Sequence, residues 1–240
     1  MKRLLLISWI FLLSGILWLS EVKADVRMPL IFGDHMVLQQ DSKIAIWGWA
    51  DARENIEIVF AGQKVKTTAH TDGTWKANLK PIKMKKEGQT LTIAGKNKLV
   101  YSDVLVGDVW VASGQSNMEW GINVRKEYAD DIARSEDPLL RLFFVPKNTS
   151  LEPLSDIEVP MGTARPERAA RWVLCTPEML AKMNGQGFSA TAYYFARDMR
   201  AANGHPLGVI QSAWGGTRAE AWTSLTGHKQ EPVLAHYCLL

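Results

Sequence analysis

The chain has 240 residues, 47% of them hydrophobic and 22% charged, with ten tryptophans, proportions that fit one large or two small packed cores and exclude a disordered or coiled-coil protein. A formal charge of +3, part of it from Lys2 and Arg3, comes without a basic stripe, so no nucleic-acid partner is expected. Two cysteines, Cys175 and Cys238, exclude a disulfide framework, and five scattered histidines without H-x-x-H spacing exclude the helical zinc sites; no metal or other cofactor is expected.

Residues 1–24 begin with Lys2 and Arg3, continue as an apolar run over 4–19, and place Val22 and Ala24 where a signal peptidase reads small residues. The segment reads as a cleaved signal peptide, which predicts a secreted or periplasmic protein with no stable membrane insertion. A membrane anchor is the rival reading, since roughly 16 apolar residues approach the ~17 to 25 that span a bilayer.

Residues 25–103 read as short strands. Alternating apolar residues run over 42–49, 55–60 and 91–94, with turns at Gly62-Gln63 and Asp72-Gly73. Asp-Gly predicts a type I′ hairpin, and the strand 74–79 follows it. Regular strands with polar turns predict a small β-sandwich domain, a scaffold or a carbohydrate-facing module.

From Val104 to Ala112 the alternation gives way to a nearly continuous apolar run, the mark of a strand buried on both faces in a parallel sheet. Further strands are expected at 141–145 and 207–212. Helices are expected at 126–134 and 189–202, the second with Ala192, Phe195, Ala196 and Met199 at helical spacing and Asn203-Gly204 as its cap. Strand, helix, strand over 104–240 predicts a doubly wound α/β domain.

In such sheets ligands bind outside the carboxyl ends of the strands. Two loops there carry candidate residues. In Gly114-Gln115-Ser116-Asn117-Met118, Ser116 is either a helix N-cap or a nucleophile whose own N–H faces a carbonyl oxygen. In Trp214-Gly215-Gly216-Thr217, paired glycines let backbone N–H groups approach a ligand. Asn117, Arg218 and Glu220 are candidate substrate contacts; helix-turn and surface-pair roles are the alternatives. Trp120, Trp214 and Trp222 either stack on a sugar or fill a core. A serine needs a base, and His205, His228 and His236 read as cap or surface residues.

Ser113-Gly114-Gln115-Ser116-Asn117-Met118, with Gly107-Asp108-Val109-Trp110 before it and Ile210-Gln211-Ser212-Ala213-Trp214-Gly215-Gly216-Thr217 and Glu220-Ala221-Trp222 after it, resembles the sialate O-acetylesterase family of SGNH-type hydrolases. Residues 30–40 and Trp47-Gly48-Trp49-Ala50 are similar to the opening of that family's β-domain. The resemblance implies a secreted serine esterase that removes O-acetyl groups from sialic acid or another acetylated glycan through an acyl-enzyme. Ser116 matches its nucleophile, and Ser116 with Gly215 or Gly216 its oxyanion donors. The family's later asparagine donor and its Asp-x-x-His motif have no matching positions. The chain therefore reads as an N-terminal portion of a longer esterase with an incomplete sheet and catalytic site. The alternative is a non-catalytic carbohydrate-binding or scaffold remnant.

Overall fold

A computed structural model describes residues 25–150, 152–158 and 170–233; the expected signal peptide, His236 and Cys238 lie outside the described residues. Alternation builds the first half of the chain. Strands β1 (Val37–Gln39), β2 (Ile44–Trp49), β3 (Asn55–Phe60), β4 (Gln63–Thr68), β5 (Thr74–Leu79) and β6 (Lys85–Ala94) lead into the long β7 (Lys98–Gly114). In β3 and β5 every second residue is buried, so Ile56, Ile58, Phe60, Trp75, Ala77 and Leu79 share one core.

The turns differ from the sequence expectation. Ala61 and Gly62 both have positive φ (50° and 76°), so the two-residue hairpin joins β3 to β4, where Phe60 pairs with Gln63. At Asp72-Gly73 only Gly73 has positive φ (81°); its N–H donates to the His70 carbonyl, and the His70 N–H donates to that of Thr74. This is a three-residue loop with glycine in the left-handed position. It turns the chain from β4, paired with β3, to β5, paired antiparallel with β2.

The second half adds α1 (Ser116–Glu119), α2 (Ala129–Ala133), β8 (Asp137–Phe144), β9 (Trp172–Cys175), α3 (Pro177–Lys182), α4 (Ala190–Asn203), β10 (Leu207–Ala213) and α5 (Leu225–Gln230). α4 starts where Ser189 accepts the Ala192 N–H and ends at left-handed Gly204 (φ 67°). The main sheet runs β4-β3-β6-β7-β10-β8-β9, with β1 also on β7, while β2 and β5 form a second sheet. β7, β10 and β8 are mutually parallel and β9 is antiparallel, giving a mixed α/β architecture.

β7 runs unbroken through residues 103 and 104. A left-handed residue, Asp103 (φ 52°), lies where its register against β6 shifts, as at a β-bulge. β6 and β1 pair with its first part; over 108–114 it pairs with β10 alone among the described residues. Val104 to Gly107 are buried as expected, but Trp110 and Val111 are 45% and 63% exposed. Around β8, Leu142 and Phe144 belong to the core formed with α3 and α4, whereas Phe143 belongs to the core with Phe32, Met36, Val106 and the β2–β6 residues. Where the sequence predicts helices on both faces, the described helices supply apolar residues to one face and β elements pack on the other.

Candidate active site

Parallel strands in register finish together, and that places the site. Ala213 of β10 is the register partner of Gly114 of β7, so loops 115–119 and 214–217 leave the sheet side by side at its carboxyl end. The Trp214 N–H extends the ladder by one step, donating to the Gly114 carbonyl at 2.9 Å. Thr217 closes the second loop: its hydroxyl donates to the Trp214 carbonyl at 2.7 Å and accepts the Trp222 indole N–H at 2.7 Å.

Ser116 opens α1 directly after Gln115, whose backbone is extended. It is half-buried, and its hydroxyl donates to the neighbouring Gln115 side chain at 3.2 Å. Gly215 packs on it so closely that a Cβ at 215 would lie 3.5 Å from both Ser116 Cα and Cβ and 2.6 Å from the Glu119 carboxylate. The Gly215 N–H is engaged, since it donates to Glu119 Oε2. Among the described residues the Ser116 and Gly216 N–H groups make no hydrogen bond, so both retain a donor.

Glu119 and Lys147 were not singled out by the sequence. Lys147, just beyond β8, pairs with Glu119 Oε1 and lies 5.7 Å from the Trp214 ring centroid. Helical spacing was a signal for Glu119, because a residue three after Ser116 falls on the same side of a turn; nothing local marks Lys147. Of the other candidates, Asn117 directly follows Ser116 and Arg218 directly follows the 214–217 loop. Asn117 is exposed, and its carbonyl accepts the Thr191 hydroxyl at 3.0 Å, tying α1 to α4. Arg218 is exposed, and half-buried Glu220 lies in the 3-10 turn Ala219–Trp222. Trp120 and Trp222 are 54% and 40% exposed, so the core role does not describe them.

The histidines are placed by their partners. His205 bonds Asp108 at 3.0 Å and Gln40 at 2.9 Å, at the amino end of the β7–β10 pair. Six residues at ~3.3 Å each put Asp108 roughly 20 Å along the strand from Gly114, beyond reach of Ser116. His35 bonds Asp103 at 2.7 Å, still farther back along β7. His70 is exposed in its loop and His228 is buried in α5. Among the described residues no group of three or more His, Cys, Asp or Glu is arranged to hold a metal ion, and no helix is long and apolar enough to cross a membrane.

Residues 106–235 match the family model of carbohydrate esterases described as sialic acid-specific acetylesterase. The chain is 32% identical over 217 residues to sialate O-acetylesterase of Rattus norvegicus, covering 82% of this chain and 37% of that protein. Against sialate O-acetylesterase of Homo sapiens the identity is 29% over 227 residues, covering 87% and 41%. The crystal structure of a carbohydrate acetylesterase from Xanthomonas citri superposes with a TM-score of 0.74 at 33% identity, covering 84% of this chain and 43% of that one. The chain thus spans about two fifths of the length of these relatives.

Proposed function

Because the chain belongs to the sialic acid-specific acetylesterase family of carbohydrate esterases, we propose that it removes O-acetyl groups from sialic acid or a related glycan, with Ser116 as nucleophile. One observation carries the reading: Ser116 and the Gly215-Gly216 loop meet at the carboxyl ends of two parallel strands, with the N–H groups of Ser116 and Gly216 open. The Ser116 oxygen attacks the acetyl carbonyl carbon, and the C=O electron pair moves onto oxygen between those two donors. Donors so placed are commonly worth ~3 to 4 kcal/mol each. Collapse expels the sugar oxygen, which takes a proton, and leaves acetyl-Ser116; water then releases acetate. The Ser116 proton needs a base. His35 and His205 are too distant; the candidates are His228 in α5 and His236, which lies outside the described residues.

With this reading go a secreted or periplasmic location, a β-sandwich unit over 25–103 and an SGNH-type sheet from 104 onward. The test is hydrolysis of a small acetyl ester by the purified protein beside its Ser116→Ala variant. Turnover lost in the variant supports the nucleophile, and turnover equal in both defeats it. No turnover in folded protein fits a catalytic site short of its base as well as the non-catalytic, sugar-binding reading.

A further inference from the structure

We propose that Glu119, braced by Lys147, is a positioning residue that occupies the Gly215 N–H and so presents the Gly216 N–H, beside that of Ser116, to the substrate carbonyl oxygen. The inference rests on the reading of Ser116 as the nucleophile and resolves which glycine serves it. Three observations converge. The Glu119 side chain is only 16% exposed, and a carboxylate so enclosed requires partners for its charge and lone pairs. Its two oxygens are divided between the 214–217 loop and the segment after β8: Oε2 takes the Gly215 N–H and Oε1 the Lys147 ammonium. Both are charge-assisted contacts, the stronger class of hydrogen bond. Finally, a Cβ at residue 215 would stand 2.6 Å from Glu119 Oε2, so any side chain there displaces the carboxylate.

The clamp joins the helix that begins with Ser116 to the loop that carries Gly216, so the two open N–H groups hold one spacing. Lys147 has a second part. A carboxylate beside a forming oxyanion opposes it, and the ammonium neutralises that carboxylate without taking the Gly215 contact away. Glu119 touches no reacting atom; it acts through the loop.

The experiment uses the full chain and two readouts, amide hydrogen exchange at Gly215 and Gly216 by NMR and kinetics on a small acetyl ester. In the parent protein Gly215 is protected and Gly216 exchanges fast. Glu119→Ala raises Gly215 exchange about tenfold or more and lowers kcat about a hundredfold with KM little changed, the size of effect that a misplaced site produces. Glu119→Gln, whose side-chain carbonyl still accepts, recovers part of both. Lys147→Met keeps Gly215 protected while lowering kcat. The proposal is overturned if Gly215 exchanges like Gly216 in the parent, if Glu119→Ala leaves its protection unchanged, or if kcat is indifferent to Glu119 in an enzyme that Ser116→Ala inactivates. Absence of any Ser116-dependent turnover strikes the esterase reading alone, and exchange then decides the clamp.

Discussion

The Trp214 N–H donates to the Gly114 carbonyl at 2.9 Å, one step beyond the last register pair of β7 and β10. This bond carries the ladder into the loops, so the residues after each strand cannot drift apart without breaking sheet structure. Gly215 is the first residue past it and lies against Ser116. Gly215→Ala is therefore predicted to retain the fold, because the only atom within 3 Å of its Cβ is the end of a flexible glutamate. Moving that glutamate dismantles the Gly215 contact. The expected outcome is an unchanged circular dichroism spectrum with about a hundredfold slower labelling of Ser116 by a fluorophosphonate. Labelling at the parent rate would show that the contact has no bearing on the nucleophile.

Far from the loops, Arg141 is 3% exposed and donates to Asp103 at 2.6 Å, while His35 holds the same carboxylate at 2.7 Å. Partial burial works to raise the Asp103 pKa, but hydrogen bonds from Arg141 and His35 outweigh it and hold the carboxyl below its usual range. A lowered native pKa stabilises the fold above the unfolded value of about 3.9, and that contribution is lost as pH falls through the native value. Asp103→Asn isolates the charge, since asparagine tolerates the left-handed backbone found there (φ 52°). Stranding a buried partner costs ~3 to 5 kcal/mol. With Asp103 35% exposed, roughly 2 to 3 is expected in urea melts at pH 7, narrowing in acid. Equal midpoints at both pH values would refute this.

Cys175 has no exposed surface, and its thiol donates to the Ser135 carbonyl at 3.2 Å. Desolvation pushes its pKa up to about 12, with the charge of Asp137 adding to the effect. Thiolate is the reactive form, so the native protein is expected to leave Cys175 unmodified by iodoacetamide at pH 8. Peptide mapping should find it alkylated only after unfolding in urea. Modification under native conditions would mean that the core around β9 opens readily.

What was legible in the sequence was local. β3 and β5 begin and end where the alternation over 55–60 and 74–79 predicts, and the α4 boundaries follow from Ser189 and Gly204. Ser116 and the 214–217 loop could be singled out because each motif is complete within a few residues at a strand end. Pairing was not legible. Asp72-Gly73 marks a turn but cannot specify that β5 joins β2 rather than β4. The Glu119 and Lys147 contact links positions whose proximity depends on β8 lying beside β10. Likewise, an apolar run indicates burial without saying which part of the chain supplies it, which is why Trp110 and Val111 departed from expectation.

That exposed stretch carries the last prediction. Over 108–114 β7 is paired with β10 alone among the described residues, and its other edge is met near its start by the Gln39 side chain, which accepts the Val109 N–H at 2.9 Å. Beyond that point the strand combines open backbone groups with exposed Val111, and Trp110 is shielded only in part by its edge-on contact with Phe195 at 5.1 Å. An apolar strand edge of this kind templates pairing with other chains, and a lysine on it is the usual deterrent. The purified protein is expected to associate with rising concentration in analytical ultracentrifugation, and Val111→Lys to shift it toward monomer without lowering its melting midpoint. A parent protein that stays monomeric across the concentration range would mean that this edge is covered in solution.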